Sequence, residues 1–222
     1  SSAVHYSSPS FGGFAFNAMY DFGSHSEAAN NETARGYMAD VFYKSKMFDV
    51  GVAYKYNDNT TANSVLTTID NNAVAAGTYD EDMAYQNIVV GATVRPMAGL
   101  GITFGWQQEK NKNAAGQDQY SNGYGLSAMY SAGKMSYVLS AGMVDDLKGD
   151  RAVEDSGYWG VNGAVIYKLS KQTQLQAGVS YMDADDKAGG SATGSVGMTD
   201  TGVKAYAGQA AYAAMVGLRT DF

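Results

Sequence analysis

Apolar residues stand at every second position through almost the whole chain, and this spacing favours β-strands over helices. In one segment Phe14, Phe16, Ala18, Tyr20 and Phe22 alternate with small or polar residues. Successive side chains of a strand point to opposite faces of a sheet, so the pattern predicts one apolar and one polar face. Ten such segments, preceded by a short one at residues 3–7, predict eleven strands.

The face opposite the apolar one carries small and polar residues that suit water. Examples are Asn17, Asp21, Thr93, Thr103, Ser127, Ser140, Asn162, Gln176 and Ser180. A soluble β-sandwich buries its apolar faces between two sheets, whereas a membrane barrel turns its apolar face to lipid. Alternation alone therefore leaves both architectures open.

The predicted connections alternate between very short and long. Short ones fall at residues 8–13, 45–46, 96–98, 133–134 and 170–171, and long ones at 23–34, 57–82, 107–119, 145–156 and 183–207. Short turns at one end and long polar loops at the other, joining strands of about ten residues, are typical of outer-membrane barrels. The fold class predicted is an all-β, transmembrane antiparallel β-barrel, with the carboxyl terminus at the short-turn, periplasmic end.

The composition is consistent with spanning by strands. The chain has 17 Tyr, 27 Gly, 2 Pro and no Cys, and it contains no apolar run of the length, roughly 18 residues, that a transmembrane helix needs. Aromatic residues at strand ends are expected to form a girdle at the membrane interface or to contact other subunits. The girdle candidates are Tyr43, Tyr54, Trp106, Trp159 and Phe222.

Charge is distributed unevenly between loops and strands. The formal net charge of −7 argues against a nucleic-acid partner. With Arg35 counted in the first loop, the predicted long loops hold 18 acidic and seven basic residues, a balance of −11, which leaves about +4 on the strands and short turns. Acidic loops would enrich cations at the mouth, while a basic body would favour anions.

Seven charged or titratable residues are predicted to line a lumen, because alternation places them on the polar face. They are His5, Asp40, Lys44, Lys55, Arg95, Lys168 and Arg219. For His5 a solvated position without a special role competes with an anion contact. Several of the basic residues lie toward the short-turn end, where together they would give a vestibule with a weak anion preference.

Catalysis is not expected, because His5 and His25 are the only histidines and no Cys or Gly-x-Ser-x-Gly elbow is present. The carboxylates Asp80, Glu81 and Asp82 match no calcium-binding spacing. They are interpreted as solvated surface charge. No metal and no cofactor are predicted.

Three segments in order resemble motifs of the Gram-negative general diffusion porins of the neisserial and burkholderial type. Residues 2–14 (SAVHYSSPSFGGF) resemble the signature Asn-Ser-Val-basic-Tyr-x-Ser-Pro-x-Phe-x-Gly-Phe. Residues 165–173 (VIYKLSKQT) are similar to the hairpin Tyr-x-Leu-Ser-Lys-Arg-Thr, and residues 216–222 (VGLRTDF) to the ending Val-Gly-Leu-Arg-His-x-Phe.

The resemblance implies a barrel of sixteen strands, of which this chain would supply strands six to sixteen. Residues 1–222 would then form one β-barrel domain that lacks the N-terminal strands and the constriction loop; a closed barrel of eleven strands is the alternative. The implied function is passive diffusion of small hydrophilic solutes and ions through a homotrimer in the outer membrane, in contact with lipid and lipopolysaccharide. A structural or adhesive barrel acting through its long extracellular loops is the competing function, and a soluble sandwich the competing fold.

Overall fold

The fold is an antiparallel β-structure, seen in a computed structural model that describes residues 3–22, 35–58, 84–113, 115–188, 192–194 and 203–220. Its strands in chain order are β1 (Ala3–Ser7), β2 (Phe14–Asp21), β3 (Gly36–Lys44), β4 (Phe48–Asp58), β5 (Ala84–Met97), β6 (Leu100–Lys112), β7 (Asp118–Ala132), β8 (Met135–Val144), β9 (Lys148–Gly149), β10 (Tyr158–Lys168), β11 (Thr173–Ala184), β12 (Ala192–Gly194), β13 (Val203–Ala205) and β14 (Ala210–Thr220). None of the described segments is a helix long and apolar enough to cross a membrane.

One sheet contains all but the small β12–β13 pair. The order is β1-β2-β3-β4-β5-β6-β7-β8-β10-β11-β14, and β9 pairs with β7. Each strand on this path pairs antiparallel with its neighbours in sequence, apart from the short strands inserted in two loops. The eleven strands of the path match the eleven predicted segments, and β1 and β14 are the two ends of the order.

The apolar face of the sheet is exposed, as a barrel requires and a sandwich does not allow. Leu139 on β8 is 66% exposed and Val179 on β11 is 61% exposed. A sandwich would bury such residues under a second sheet. Within the described ranges no second large sheet is present, so the sandwich interpretation is wrong.

Short turns end the hairpins at one side of the sheet, and glycine makes two of them possible. Gly99, between β5 and β6, has a φ of +80°, a region that residues with a Cβ rarely adopt. Its carbonyl accepts a hydrogen bond from the Ser131 amide at 2.8 Å, which ties the turn to β7. Gly133, between β7 and β8, likewise has a positive φ of 59°.

The predicted long loop at residues 107–119 is wrong. β6 runs on to Lys112 and β7 begins at Asp118, so the connection is only residues 113–117. Here polar residues occupy both faces, so the apolar alternation ends although the strands continue. Lys110 and Asp118, 2.6 Å apart, bridge the two strands in this extension, and the Asn113 amide donates to the Gln117 carbonyl at 3.1 Å.

Candidate functional site

The strand register places all seven predicted lumen residues on one face of the sheet, the polar face. His5 is the Cα partner of Met19, Met19 of Met38, and Met38 of Lys55, so His5 and Lys55 share one row across four strands. Asp40 and Asn17 are partners in the neighbouring row. Partners in an antiparallel sheet point to the same side, so the row gives His5 and Lys55 a common face.

At the short-turn ends of β4 and β5, Arg95 and Asp49 form an ion pair on the polar face. Arg95 Nη2 lies 2.5 Å from Asp49 Oδ2, with the side chains 41% and 27% exposed. Lys44 is the Cα partner of Asp49, and its ammonium lies 4.9 Å from the centre of the Phe42 ring. The expected basic vestibule is therefore partly neutralised where Arg95 and Asp49 meet.

A second basic group lies at the short-turn ends of β10, β11 and β14. Gln174 is the Cα partner of both Lys168 and Arg219, which places those two residues on either side of it. A cavity of about 490 Å³ next to them is lined by Lys134, Lys168 and Lys171 together with the turn residues between β10 and β11. Lys168 and Arg219 thus belong to the same cluster, separate in the strand order from Arg95.

Glu109 is a carboxylate of the polar face that the sequence interpretation missed. Its Oε1 accepts hydrogen bonds from Gln107 Nε2 at 2.7 Å, Tyr85 Oη at 3.2 Å and Asn87 Nδ2 at 3.3 Å. The Lys55 ammonium lies 5.8 Å from the centre of the Tyr85 ring. The predicted loop begins at residue 107, so the sequence prediction counts Glu109 with the loop charge, because polar residues on both faces end the alternation that would have revealed it.

The polar face of the described strands carries nearly balanced charge. Its basic residues are Lys44, Lys55, Arg95, Lys168 and Arg219, and its acidic residues are Asp21, Asp40, Asp49 and Glu109. Five cations and four carboxylates leave a formal balance of +1. The predicted balance of about +4 applies to the strands and short turns together, so the polar face alone is less positive than that balance.

Four of the girdle candidates lie on the apolar face. Tyr43 contacts Phe14 and Phe48, with ring centroids 4.7 and 5.3 Å away. Tyr54 lies 5.9 Å from Tyr37. Trp106 is half-buried. Because β6 continues to Lys112, this residue lies in mid-strand and not at a strand end as predicted.

Trp159, near the loop end of β10, contacts Tyr181 with ring centroids 5.4 Å apart. Tyr167 lies on the same face of the same strand, about 26 Å further along at about 3.3 Å per residue. Phe222 lies outside the described residues, as do Asp80, Glu81, Asp82 and His25.

The connection between β8 and β10 is an ordered loop held by Asp146. Its Oδ1 accepts the backbone amides of Ser156 at 2.8 Å and Gly157 at 2.9 Å. Ser156 Oγ accepts the Leu147 amide at 2.8 Å and donates to the Val153 carbonyl at 2.7 Å. The carboxylate of Asp146 therefore closes the loop upon itself.

Asp145, next in this acidic pair, is also engaged by protein donors. Its Oδ2 accepts from Lys148 Nζ at 2.8 Å and from Asn122 Nδ2 at 3.4 Å. The hydrogen bond to Asp145 raises the pKa of the Lys148 ammonium. Nothing in the described residues groups three or more metal-ligating side chains.

A small buried cluster closes the loop end of β10, β11 and β14. It contains Met182, Ala184, Ala188 and Ala205, all less than 5% exposed. Ala205 belongs to β13, so the connection between β11 and β14 folds back against these strands. The cluster fixes the rim of the polar face at this side of the sheet.

A sheet with an exposed apolar face, a charged polar face and short turns at one end defines the class of outer-membrane β-barrels. The family model described as Gram-negative porin matches residues 1–187. The chain belongs to the Gram-negative porin family. No curated protein sequence matches it.

Solved porins share the fold. The anion-selective porin from Comamonas acidovorans superposes with a TM-score of 0.72 at 20% identity, covering 99% of this chain and 59% of that one. The outer membrane protein OmpT of Vibrio cholerae gives 0.69 at 14% identity, with 98% and 63% covered, and its trimer form gives 0.68 at 14%, with 99% and 64%. The chain thus spans 59% to 64% of these solved proteins. The predicted porin-type barrel fold is confirmed.

Proposed function

We propose that this protein forms a water-filled channel through the outer membrane for passive diffusion of small hydrophilic solutes and ions. The observation that carries the proposal is the register, which separates an exposed apolar face from a face bearing nine charged residues and many hydroxyls and amides. In a membrane the apolar face would contact the lipid acyl chains, and the polar face would line a water-filled lumen. No chemical step and no cofactor are needed for such transport.

Swelling of liposomes that contain the purified protein tests this function. Neutral sugars of increasing size should enter and swell the vesicles, with a cut-off that depends on size rather than identity. Failure of even the smallest sugar to enter protein-loaded vesicles would contradict the channel and would favour a structural or adhesive barrel acting through its loops.

A weak anion preference is the selectivity that we propose. The supporting observation is the balance of +1 on the polar face, with Lys168 and Arg219 grouped at one end. The solved porin from Comamonas acidovorans is described as anion-selective. A reversal potential measured across a bilayer with a salt gradient distinguishes the signs, and cation selectivity would reject this proposal.

The same geometry supports a proposal for the orientation in the membrane. Thr220, the last residue of β14, is the Cα partner of Thr173, beside the short turn between β10 and β11. We propose that this end faces the periplasm and that the long loops face outward, toward lipopolysaccharide. A single cysteine at Gln172 should resist membrane-impermeant thiol reagents in intact cells, and one at Glu154 should react; the reverse pattern would contradict this orientation.

The assembly proposed is a homotrimer, for which the trimer form of Vibrio cholerae OmpT gives a precedent. Lipid and neighbouring subunits would share the apolar face. Cross-linking in mild detergent should give a ladder that ends at three subunits. Cross-linking that yields only monomers would contradict the proposed trimer.

We further propose that β1 and β14 are joined by additional strands to close the wall. Within the described residues β1 pairs with β2 alone and β14 with β11 alone along the main sheet. Open strand edges in hydrocarbon leave backbone groups without hydrogen bonds, at several kcal/mol each. The intact mass of the protein from its source membrane should exceed 23.5 kDa. A mass equal to that value would favour direct closure of eleven strands.

A further inference from the structure

Three lysines from two adjacent short turns surround one cavity at the short-turn end of the sheet. This cavity of about 490 Å³, called the lysine cavity below, is lined by Lys134 from the turn between β7 and β8 and by Lys168 and Lys171 from the β10–β11 hairpin. All three residues are exposed. The Lys168 amide donates a hydrogen bond to the Lys134 carbonyl at 2.9 Å, which holds the two turns side by side.

The turn that carries Lys171 is fixed by hydrogen bonds of its own. Ser170 Oγ accepts the backbone amides of Gln172 at 3.1 Å and Thr173 at 2.9 Å. The Leu169 amide donates to the Thr173 carbonyl at 2.9 Å. The hairpin therefore presents its lysines to the cavity from an ordered backbone.

The lysine cavity has no negative charge of its own. No carboxylate is among its lining residues, and in the described part of the chain none of its three ammonium groups has an ion-pair partner. At the short-turn ends of β4 and β5 the charge of Arg95 is instead paired with Asp49 of the protein itself. Like charges around one cavity repel each other, and a bound anion offsets that repulsion. The lysine cavity is therefore suited to an anion from outside the protein.

An exposed apolar strip leads along the same strands to the lysine cavity. Tyr167, Leu175 and Leu218 form one row across β10, β11 and β14, and all three are exposed. Leu169, two residues beyond Tyr167 and also exposed, is itself among the residues that line the cavity. In an outer-membrane barrel the apolar face contacts acyl chains. The cavity therefore joins the lipid-facing side of the wall to the three ammonium groups.

We propose that the lysine cavity binds the phosphate of an anionic phospholipid, whose acyl chains lie along Leu169, Leu175 and Leu218. Lysine ammonium groups bind phosphate as point charges, and basic residues at a membrane surface attract anionic headgroups. A free phosphate ion would use the lysines but would gain nothing from the leucines, so the lipid is the better fit. Such binding requires that the barrel spans a membrane but not that it conducts. The leaflet that supplies the lipid depends on the orientation proposed above.

Native mass spectrometry of the purified protein in a nonionic detergent measures this binding with defined lipids. Phosphatidylglycerol should bind more tightly than phosphatidylcholine, whose headgroup has no net charge. The double variant Lys134→Gln, Lys171→Gln should lower the affinity for phosphatidylglycerol on the order of tenfold, since each lysine near a membrane surface adds to the attraction. The matched control is Lys46→Gln, Lys112→Gln, which removes the same charge from two exposed lysines outside the cavity and should leave the affinity unchanged. Equal affinity for the two lipids, or an equal loss in the two double variants, would overturn the proposal.

Substitutions that keep the charge separate a lipid from a free anion. The double variant Lys134→Arg, Lys171→Arg should bind phosphatidylglycerol as the natural protein does. Leu169→Ser should weaken the binding on the order of threefold, because apolar contact with the acyl chain is lost. Leu139→Ser, an exposed position on β8 outside the cavity lining, should not. Inorganic phosphate that competes with the lipid at equal concentration, with no effect of Leu169→Ser, would show a free-anion site and would contradict the lipid assignment.

Discussion

Arg95 and Asp49 neutralise each other at the point where β4 and β5 reach their short-turn ends, with Nη2 and Oδ2 2.5 Å apart. Both side chains are partly exposed, so solvent screens their attraction and the pair contributes little to stability. Its larger effect is on the field of the polar face, where it cancels one of five positive charges. The selectivity of the channel should therefore respond to this pair more than its folding does.

Asp49→Asn should strengthen the anion preference, because it leaves the Arg95 charge uncompensated. The reversal potential in a salt gradient should move toward the anion value, while the urea midpoint changes little. Asp118→Asn is the matched control, since Asp118 pairs with Lys110 at 2.6 Å beyond the apolar band. An equal shift from both variants would show that position on the polar face is irrelevant.

Glu109→Gln should also shift selectivity toward anions, since it removes a carboxylate from the polar face but keeps an oxygen that accepts hydrogen bonds. Glu109→Ala should add a stability loss of about 1–3 kcal/mol, because the donors Gln107 and Asn87 lose their acceptor. Unfolding titrations of both variants separate the two effects. A Gln variant as unstable as the Ala variant would contradict the assigned hydrogen bonds.

Asp146→Ala should loosen the loop between β8 and β10. The amides of Ser156 and Gly157 lose their acceptor, so hydrogen exchange at these two amides should accelerate. Glu154→Ala, in the same loop and exposed, should leave exchange unchanged. Unaltered protection in the Asp146 variant would contradict the role of this carboxylate.

Leu126 and Ser127 are neighbours on β7 that face opposite sides, and a charge placed at each tests which side meets lipid. Leu126 is 55% exposed on the apolar face, and Ser127 pairs with Thr103 on the polar face. Leu126→Arg should cost about 2–4 kcal/mol of folding free energy in a bilayer, and Ser127→Arg much less. If Ser127→Arg were the less stable variant in urea titrations, the face that bears Leu126 would line the lumen, and the assignment of the two faces would be contradicted.

The strands and their faces were predictable because a period of two is a local property of the sequence. β2, β3 and β4 begin and end close to the predicted segments, and the lumen candidates share one face. Where both faces become polar, as around Gln107 and Glu109, the alternation of hydropathy disappears although backbone pairing continues. The end of β6 therefore could not be located from the sequence.

Two other features depend on register between strands, which a single sequence does not contain. Lys134 and Lys171 are far apart in the chain, and only the pairing of β8 and β10 brings their turns together. The contact between Arg95 and Asp49 likewise joins residues of different strands. The hydrogen bonds of Asp146 arise from loop geometry that no periodic pattern indicates.

Recording ionic current from the purified protein in a planar lipid bilayer tests the central claim most directly. The account predicts stepwise, ohmic conductance increments with a reversal potential slightly on the anion side in a salt gradient. Folded protein that inserts into the bilayer and gives no current steps would contradict it.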